Sequence, residues 1–493
     1  MNPLNRKKFV LFVIIAVNFL VWSQSLLNGF VYDDNTILLG NPWVKDPGRI
    51  GEVFSSSMMA FDQARSPANT YRPMLYVVFM AENVLFGLNS YWFHGLNLIV
   101  HIANAVMVFL LASRMLSGNE AGTRVLPALF AALAFSVHTI NSEAVNWVSA
   151  SAELLFTFCV LAAFYIHMRG PGGANRLAVA LLFFIALLFK ETAAALPVII
   201  FLYDYSKGGA LRGRWKAYAL FIAAGVVYGL LRLYAIGGIM HHKQADLSAL
   251  EAVINIFPLV AAYFSKLVLP VSLSAIYEFH PARSAFDPRV AAGAAVVSAF
   301  CAALFFSRRK PAIFAGLSMM AVPLLPVLYV PALSSSAMAD RYLYLPSAGF
   351  AIVLAALASR LDKKAAKASM VLASALLVAW GAGSLSRSQV WKSDRTLWAD
   401  AVKKAPNAPN AHFNYAWASH NAGNLREAVE HYRRAASLAP SADAHYNLGV
   451  IFMGQSMIDE ADAEFRAALG IDPGFNGARA RLMEIKRLRE AGA

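Results

Sequence analysis

The feature that most restricts this chain is a succession of apolar runs separated by short basic clusters. Runs of span-like length occupy about residues 9–27, 90–113, 124–138, 146–166, 176–189, 192–206, 215–236, 289–306, 311–331, 342–359 and 368–386. A perpendicular helix needs ~20 residues to cross the hydrocarbon core, so the shorter runs have loose boundaries. With 58% hydrophobic and only 15% charged residues among 493, the composition is that of a polytopic membrane protein and not of a soluble globular domain. The expected fold class is all-α, a membrane bundle of about eleven spans.

The net charge of +14 invites a nucleic-acid reading, but the distribution argues against one. The basic residues sit between apolar runs and not along one soluble face. The two cysteines, Cys159 and Cys301, both lie inside apolar runs, which leaves no disulfide framework or cysteine metal site. Arg6-Lys7-Lys8 before Phe9–Val21 resembles a secretory leader. The segment beyond (Trp22, Gln24, Leu26, Leu27) lacks a small-x-small cleavage site, so an uncleaved first span is expected.

Charge bias sets the topology. With the N-terminus inside, one side receives Arg6-Lys7-Lys8, Arg114 with Arg124, Arg169 with Arg176, and Lys207, Arg212, Arg214 and Lys216. Arg308-Arg309-Lys310 and Arg360, Lys363, Lys364 and Lys367 fall on the same side. This is a positive-inside pattern. Letting either of the ambiguous apolar stretches, 73–88 or 250–269, cross alone would throw later clusters to the wrong side. Both are therefore read as helices at the outer face. Large outer loops follow at 28–89 and 237–288, and the C-terminal region lies outside. The expected division is 1–388 for the membrane domain and 389–493 for a second domain.

In that second region Pro406, Pro440 and Pro473 recur at 34 and 33 residues. Ala411-His412-Phe413-Asn414-Tyr415 is echoed by Ala444-His445-Tyr446-Asn447-Leu448, Tyr432 by Phe465 and Ala435 by Ala468. This is the tetratricopeptide period, with Trp398 closing a half-repeat before and a capping helix at about 477–490 after. Such stacks present concave surfaces to peptides.

The first outer loop opens with Gly29-Phe30-Val31-Tyr32-Asp33-Asp34-Asn35. Two adjacent carboxylates beside a bilayer are costly and usually functional. The alternative is a helix-exit cap followed by a solvated loop charge. Other ionisable residues also gather at outer span ends: His94, His138, Glu143, Glu153, Lys190, Glu191, Arg232, His241, His242, Glu278, His280, Asp340 and Arg341. Asp204 is the exception at the inner end. A water-filled chamber opening outward accounts for the set. His94, Asn97, His101 and Asn104 share one helical face, as do Glu143, Asn146, Ala150, Glu153 and Thr157. Deep members of these stripes (His101, Asn104, Thr157) are read as interhelical hydrogen-bonders, and His94, Glu143 and Glu153 as facing the chamber. No metal-ligand motif is present, although a divalent ion shared between a carboxylate and a substrate phosphate stays open. No Gly-rich nucleotide loop occurs.

Six segments, taken in order, resemble a known family. They are Phe30-Val31-Tyr32-Asp33-Asp34, Tyr71-Arg72-Pro73, Phe93-His94 with Asn97 and His101, and His138 with Glu143-Ala144-Val145 and Trp147-Val148-Ser149. Lys190-Glu191 and Asp340-Arg341-Tyr342-Leu343-Tyr344-Leu345-Pro346-Ser347 complete the set. Together with the repeats they resemble the membrane O-mannosyltransferases that carry tetratricopeptide repeats, enzymes of GT-C fold. The chain has His138-Thr139 where that family often has His-Pro, and Ala150-Ser151 where it often has Gly-Arg. The resemblance implies a sugar donor on polyprenyl phosphate and an acceptor hydroxyl outside the cytoplasm. It also implies a first-loop acid as base, Asp33 ahead of Asp34, with Arg341 toward the donor phosphate.

The chemistry is consistent with this. A Ser or Thr hydroxyl must lose its proton as it attacks the anomeric carbon, and a placed carboxylate contributes ~10²–10⁴-fold. The leaving group is an anionic phosphate, for which Arg341, Arg232, Lys190 and His242 are candidate cations. His138, Glu143 and Glu153 join them as candidate donor-site residues, and Tyr71, Arg72 and His94 as candidates toward the acceptor. A single inverting displacement needs one base, unlike the two carboxylates of a retaining hydrolase. The expected partners are membrane lipid, the lipid-linked sugar and an exported polypeptide held by the repeats, with no nucleic acid. A bacterial inner membrane with periplasmic repeats is the expected setting. The rival readings are a related transferase acting on lipid or polysaccharide, and a non-catalytic membrane-anchored scaffold.

Overall fold

The computed structural model describes residues 3–62, 69–116, 125–170, 172–208, 214–238, 247–328 and 338–491. The candidate His242, with His241, Lys243, Arg124 and Arg212, lies outside the described residues. Every regular element among the described residues is helical. The chain divides into two compact units, Met1–Leu273 with His280–Lys392 and Ser274–Phe279 with Ser393–Ala493.

The long helices of the first unit are α1 (Pro3–Trp22), α2 (Pro73–Phe86), α3 (Ser90–Met115), α4 (Val125–Val137), α5 (Ser151–His167), α6 (Gly173–Phe189) and α7 (Ala195–Ser206). They continue as α8 (Trp215–Ile236), α9 (Ala249–Val268), α10 (Pro288–Ser307), α11 (Pro311–Ala321), α12 (Tyr344–Ala358) and α13 (Lys363–Val390). By length and composition, nine helical segments among the described residues can cross a bilayer, or ten if α4 and the bent segment after it count as one. This fits a multi-pass membrane protein. Two differences from the sequence reading have local causes. The runs at 176–189 and 192–206 form helices of 17 and 12 residues, because the chain leaves the helix at Lys190 (φ −161°, ψ 134°). Residues 250–269, read as lying along the outer face, form a 20-residue helix apolar enough to span. That helix is also amphipathic: Asn255, Leu259, Tyr263 and Leu267 are buried at intervals of four. The α2 helix, 14 residues long, is too short to cross.

The core is built from α1, α3, α4, α5, α6, α7 and α12, through residues such as Ile14, Val108, Phe135, Leu161, Phe183, Ile199 and Ile352. Inside a bilayer the polar groups of such a core must find partners within the protein. The amide donors and the His101 ring of the α3 stripe do so. Asn97 Nδ2 donates to the Val145 and Trp147 carbonyls (3.3 and 3.2 Å). His101 lies 2.7 Å from the Tyr344 hydroxyl and 3.1 Å from the Ser136 carbonyl. Asn104 donates to the Leu154 carbonyl and to Tyr344 (3.0 and 3.1 Å). Where α11 crosses α12, Gly316 and Gly349 let the backbones touch: a Cβ on Gly349 would stand 2.4 Å from the Gly316 carbonyl oxygen.

The long loop after α1 carries local structure among its described residues. It folds as short helical turns at Pro42–Lys45 and Ile50–Ser55 over a small core of Leu38, Trp43, Val53, Leu75, Tyr76 and Phe79. The second unit is a helical-hairpin stack: α14 (Asp394–Lys404), α15 (Pro409–Asn421), α16 (Leu425–Leu438), α17 (Ala442–Gly454), α18 (Ile458–Ile471) and the capping α19 (Asn476–Ala491). The echoed residues Tyr432 and Phe465, Ala435 and Ala468 are all buried at its core, as is Trp398.

Candidate active site

The polypeptide leaves α1 and is steered at once. His94 Nε2, facing a carbonyl that can only accept, donates to Gly29 O at 3.3 Å, and Gly29 N donates to Lys392 O at 3.1 Å. Tyr32 then adopts φ +58°, a left-handed conformation that is costly for an aromatic residue and persists only where its surroundings hold it. Two contacts do so. The Tyr32 ring stacks on Trp147 (5.1 Å, 19°). Asp34, fully buried, takes up the chain on the far side: its Oδ1 accepts from Ser149 N (2.7 Å) and the Ser149 hydroxyl, and its Oδ2 from Val31 N (3.1 Å). Burial pushes the Asp34 carboxyl up to about 7, against the lowering effect of those donors.

The neighbouring carboxylate behaves differently. Asp33 is partly exposed, and its charge acts on the hydroxyls of Tyr32 and Tyr76. Burial, with Asp33 beside it, keeps the Tyr32 hydroxyl protonated far above its ordinary range. The adjacent acids are thus divided into an internal clamp and a group at the mouth of the loop.

Three ion pairs line the same region. Arg341 pairs with Glu143 through Nη1, and its backbone N–H donates to Glu143 Oε2 (3.2 Å). Its guanidinium lies over Trp147 and Tyr342, at 5.1 and 5.0 Å. Lys190 pairs with Glu153 at the start of α5, 4.7 Å from the centre of the Tyr342 ring. Arg72 pairs with Glu191 at 3.2 Å. Burial opposes ionisation of Glu191, but the charges of Arg72 and Lys190 outweigh it and hold its carboxyl down to about 2. The break between α6 and α7 is what delivers Lys190 and Glu191 here. A second break delivers Glu143: His138 caps the turn at Thr139–Asn141 after α4, accepting from Ile140 N (3.2 Å), and the helix axis bends by 46°.

Asp33, Glu143, Glu153, Lys190, Arg72 and Arg341 are therefore gathered around Tyr32, Trp147 and Tyr342, as their mutual electrostatic influence records. The remaining candidates hold the structure around this group, Tyr71 and Arg232 beside Tyr228, which also feels Arg72 and Glu191. His94 is buried against the loop entrance and does not line a chamber. His138 spends both ring nitrogens, the second on Leu267 O at 2.9 Å, under Trp380. Tyr71 donates to Phe54 O (2.8 Å) and packs the loop. Arg232 bonds the carbonyl and side chain of Asn69 (3.0 and 2.9 Å). Sequence reasoning gave no role to Tyr32, Trp147 or Tyr342. Each is next to, or two residues from, a residue that it did single out, or shares one of the motifs, which is the signal that could have found it.

Several buried polar atoms here have no hydrogen-bond partner among the described residues: Trp147 Nε1, Arg72 Nε, Glu191 Oε2 and Tyr228 Oη. Among the described residues Arg341 spends only Nη1 and its backbone N–H on Glu143, leaving the other edge of its planar fork of donors toward the site. Among the described residues no group of three or more His, Cys, Asp or Glu side chains is placed to hold a metal ion. Chemically, the arrangement offers the partly exposed carboxylate of Asp33, cations held in place by paired acids, and aromatic faces between them.

Comparison with known proteins agrees with this architecture. The tetratricopeptide repeat pattern matches residues 395–443 and 421–474. The human protein O-mannosyl-transferase TMTC1 is 23% identical over 88% of this chain and 55% of its own length. Mouse protein O-mannosyl-transferase TMTC3 is 24% identical over 96% and 56%, and the Caenorhabditis elegans protein O-mannosyl-transferase F38B6.6 is 25% identical over 87% and 63%. The chain thus spans little more than half the length of the curated relatives it matches. No solved structure matches it. Over most of its length this chain is similar to proteins named protein O-mannosyl-transferases, and the resemblance read from its motifs and repeats holds.

Proposed function

We propose that the chain is a glycosyltransferase that moves a mannose-like sugar from a polyprenyl-phosphate carrier to Ser or Thr hydroxyls of exported polypeptides, with inversion. Homologues named as protein O-mannosyl-transferases support the class of reaction. The donor, the stereochemistry and the base belong to the proposal. The observation that carries it is the division of labour between Asp33 and Asp34. Asp34 is enclosed and occupied, whereas Asp33 is partly exposed beside the ring of cations and aromatics.

In this reading Asp33 accepts the proton of the acceptor hydroxyl as its oxygen bonds to the anomeric carbon, and the bond to the phosphate oxygen breaks with its electron pair going to the phosphate. The open edge of Arg341 receives that phosphate. Glu143 holds the guanidinium at a fixed angle against Trp147, so little reorganisation accompanies the charge that develops. The unpartnered Trp147, Arg72, Glu191 and Tyr228 atoms are hydrogen-bonding positions that sugar hydroxyls could fill. The repeats favour a polypeptide acceptor over a lipid or polysaccharide. A bacterial inner membrane, with the N-terminus cytoplasmic and the repeats periplasmic, is the setting we assign, from the basic clusters and the short repeat array; the relatives named above are animal proteins.

The test is transfer in proteoliposomes holding the full chain, mannosyl polyprenyl phosphate and a Ser/Thr-rich peptide. Asp33→Asn should lower the rate by ~10²–10⁴-fold, as removal of a general base does, without lowering the thermal midpoint. Unchanged transfer by Asp33→Asn would remove Asp33 from the mechanism.

A further inference from the structure

The bundle carries a second polar cluster, at the opposite end from Asp33. Glu153 opens α5 and His167 closes it, so about 20 Å of helix separates the two. At the far end lies Asp204, the acid that the sequence set apart. It is fully buried and enclosed by three partners: Tyr218 Oη donates to Oδ2 (3.0 Å), His167 Nε2 lies 3.0 and 3.1 Å from its two oxygens, and Arg214 pairs with it. Arg214 Nη1 also lies 2.9 Å from His167 Nε2. Asp204 is thus a post against which a histidine and an arginine are held.

Beside this post is a cavity of about 30 Å³, with His167, Asn175, Arg176 and Arg214 at its polar side and Val179 and Phe221 at its apolar side. That volume holds about two or three water-sized groups, comparable to the oxygens a phosphodiester presents. Arg214 spends only Nη1, and the Arg176 side chain makes no hydrogen bond or ion pair among the described residues. Two guanidinium groups therefore face the cavity with unused donors. Arg176 stands in the first turn of α6, and α8 begins directly after Arg214, so two helix N-termini add partial positive charge. Counting formal charge, Asp204 offsets one arginine and leaves the other, which matches the single negative charge of a phosphodiester. The same two helices expose Leu177, Leu181, Trp215 and Ile222, an apolar surface for acyl chains. Basic pockets between helices at the cytoplasmic side are suited to anionic headgroups.

We propose that this cavity is a binding site for the phosphodiester headgroup of an anionic phospholipid, distinct from the transfer site and independent of the reading of that site. The test uses the purified full chain in a neutral detergent, with the thermal midpoint followed as dioctanoyl phosphatidylglycerol, dioctanoyl phosphatidylcholine or inorganic phosphate is added. Phosphatidylglycerol should raise the midpoint saturably and phosphatidylcholine should not. Arg176→Gln, at a side chain with no partner among the described residues, should fold normally and weaken the phosphatidylglycerol response about tenfold. Arg214→Gln should abolish it, and if that variant fails to fold the Arg176 result stands alone. Saturation by inorganic phosphate at the same concentration would support the anion site while assigning it to free phosphate. Equal responses to both lipids, or an unchanged phosphatidylglycerol response in Arg176→Gln, would overturn the proposal.

Discussion

Two neighbouring aspartates divide their work through a single backbone angle. The left-handed φ of Tyr32 and the Ser149 donors send Asp34 inward, and Asp33 stays partly exposed at the surface of the loop. Substitutions should separate the two. Asp34→Asn puts an amide where Val31 N–H needs an acceptor, and should cost about 1–3 kcal/mol, read as a lower thermal midpoint. Asp33→Asn should leave that midpoint in place. A pH dependence belongs to Asp34 as well. Its folded pKa of about 7 lies above the ~3.9 of an unfolded aspartate, so the folded chain holds the proton more tightly. Its contribution to stability is therefore complete below about pH 4 and is lost as pH rises through about 7, with no further change above. Thermal midpoints measured across that range should fall with pH in the parent chain and lose this component in Asp34→Asn. The sequence made the acidic pair visible but not its division, because the deciding donors come from Ser149, 115 residues away.

At the scale of elements, the sequence pattern revealed what packing repeats and not which distant residues packing brings together. The tetratricopeptide hairpins and the α3 stripe were legible because each repeats a spacing that a helix imposes on its buried face. The breaks at His138 and Lys190 were also legible, as the ends of the apolar runs at 138 and 189, but the partners that Glu143, Lys190 and Glu191 find beyond them were not. A run boundary marks where a helix stops and not what meets it there, since the partners Arg341, Glu153 and Arg72 come from other parts of the chain. The α11–α12 crossing gives an elementary test. A Cβ on Gly349 would meet Gly316 O at 2.4 Å and Met319 Cβ at 2.7 Å, both on an adjoining backbone or its first side-chain atom. Gly349→Val should force the helices apart and cost at least the ~1–3 kcal/mol of core overpacking, measured as lower yield and thermal midpoint. Gly225→Val, at a position with open space around it, is the control and should change neither.

For the whole molecule, composition and charge pattern established the membrane bundle and the separate repeat unit, while the number of crossing helices depended on where each run is broken. The two units also divide the proposed chemistry. Every residue assigned to sugar transfer lies in the first unit, and the tetratricopeptide stack contains none of them. If the stack holds the acceptor, ending the chain after Lys392 should spare transfer to a short Ser/Thr peptide, since the base, the cations and the aromatic faces remain. Transfer to a long polypeptide should suffer through KM, because the second attachment that raises the local concentration of acceptor is gone; a loss of tenfold or more is within the ordinary range of such tethering. The measurement is kcat and KM for both acceptors with full-length and shortened chains at matched thermal midpoints. A fall in kcat for the short peptide would instead mean that the repeats support the catalytic geometry. Unchanged KM for the long polypeptide would leave the stack without a part in acceptor capture, and would move the choice of acceptor to the loops around Asp33.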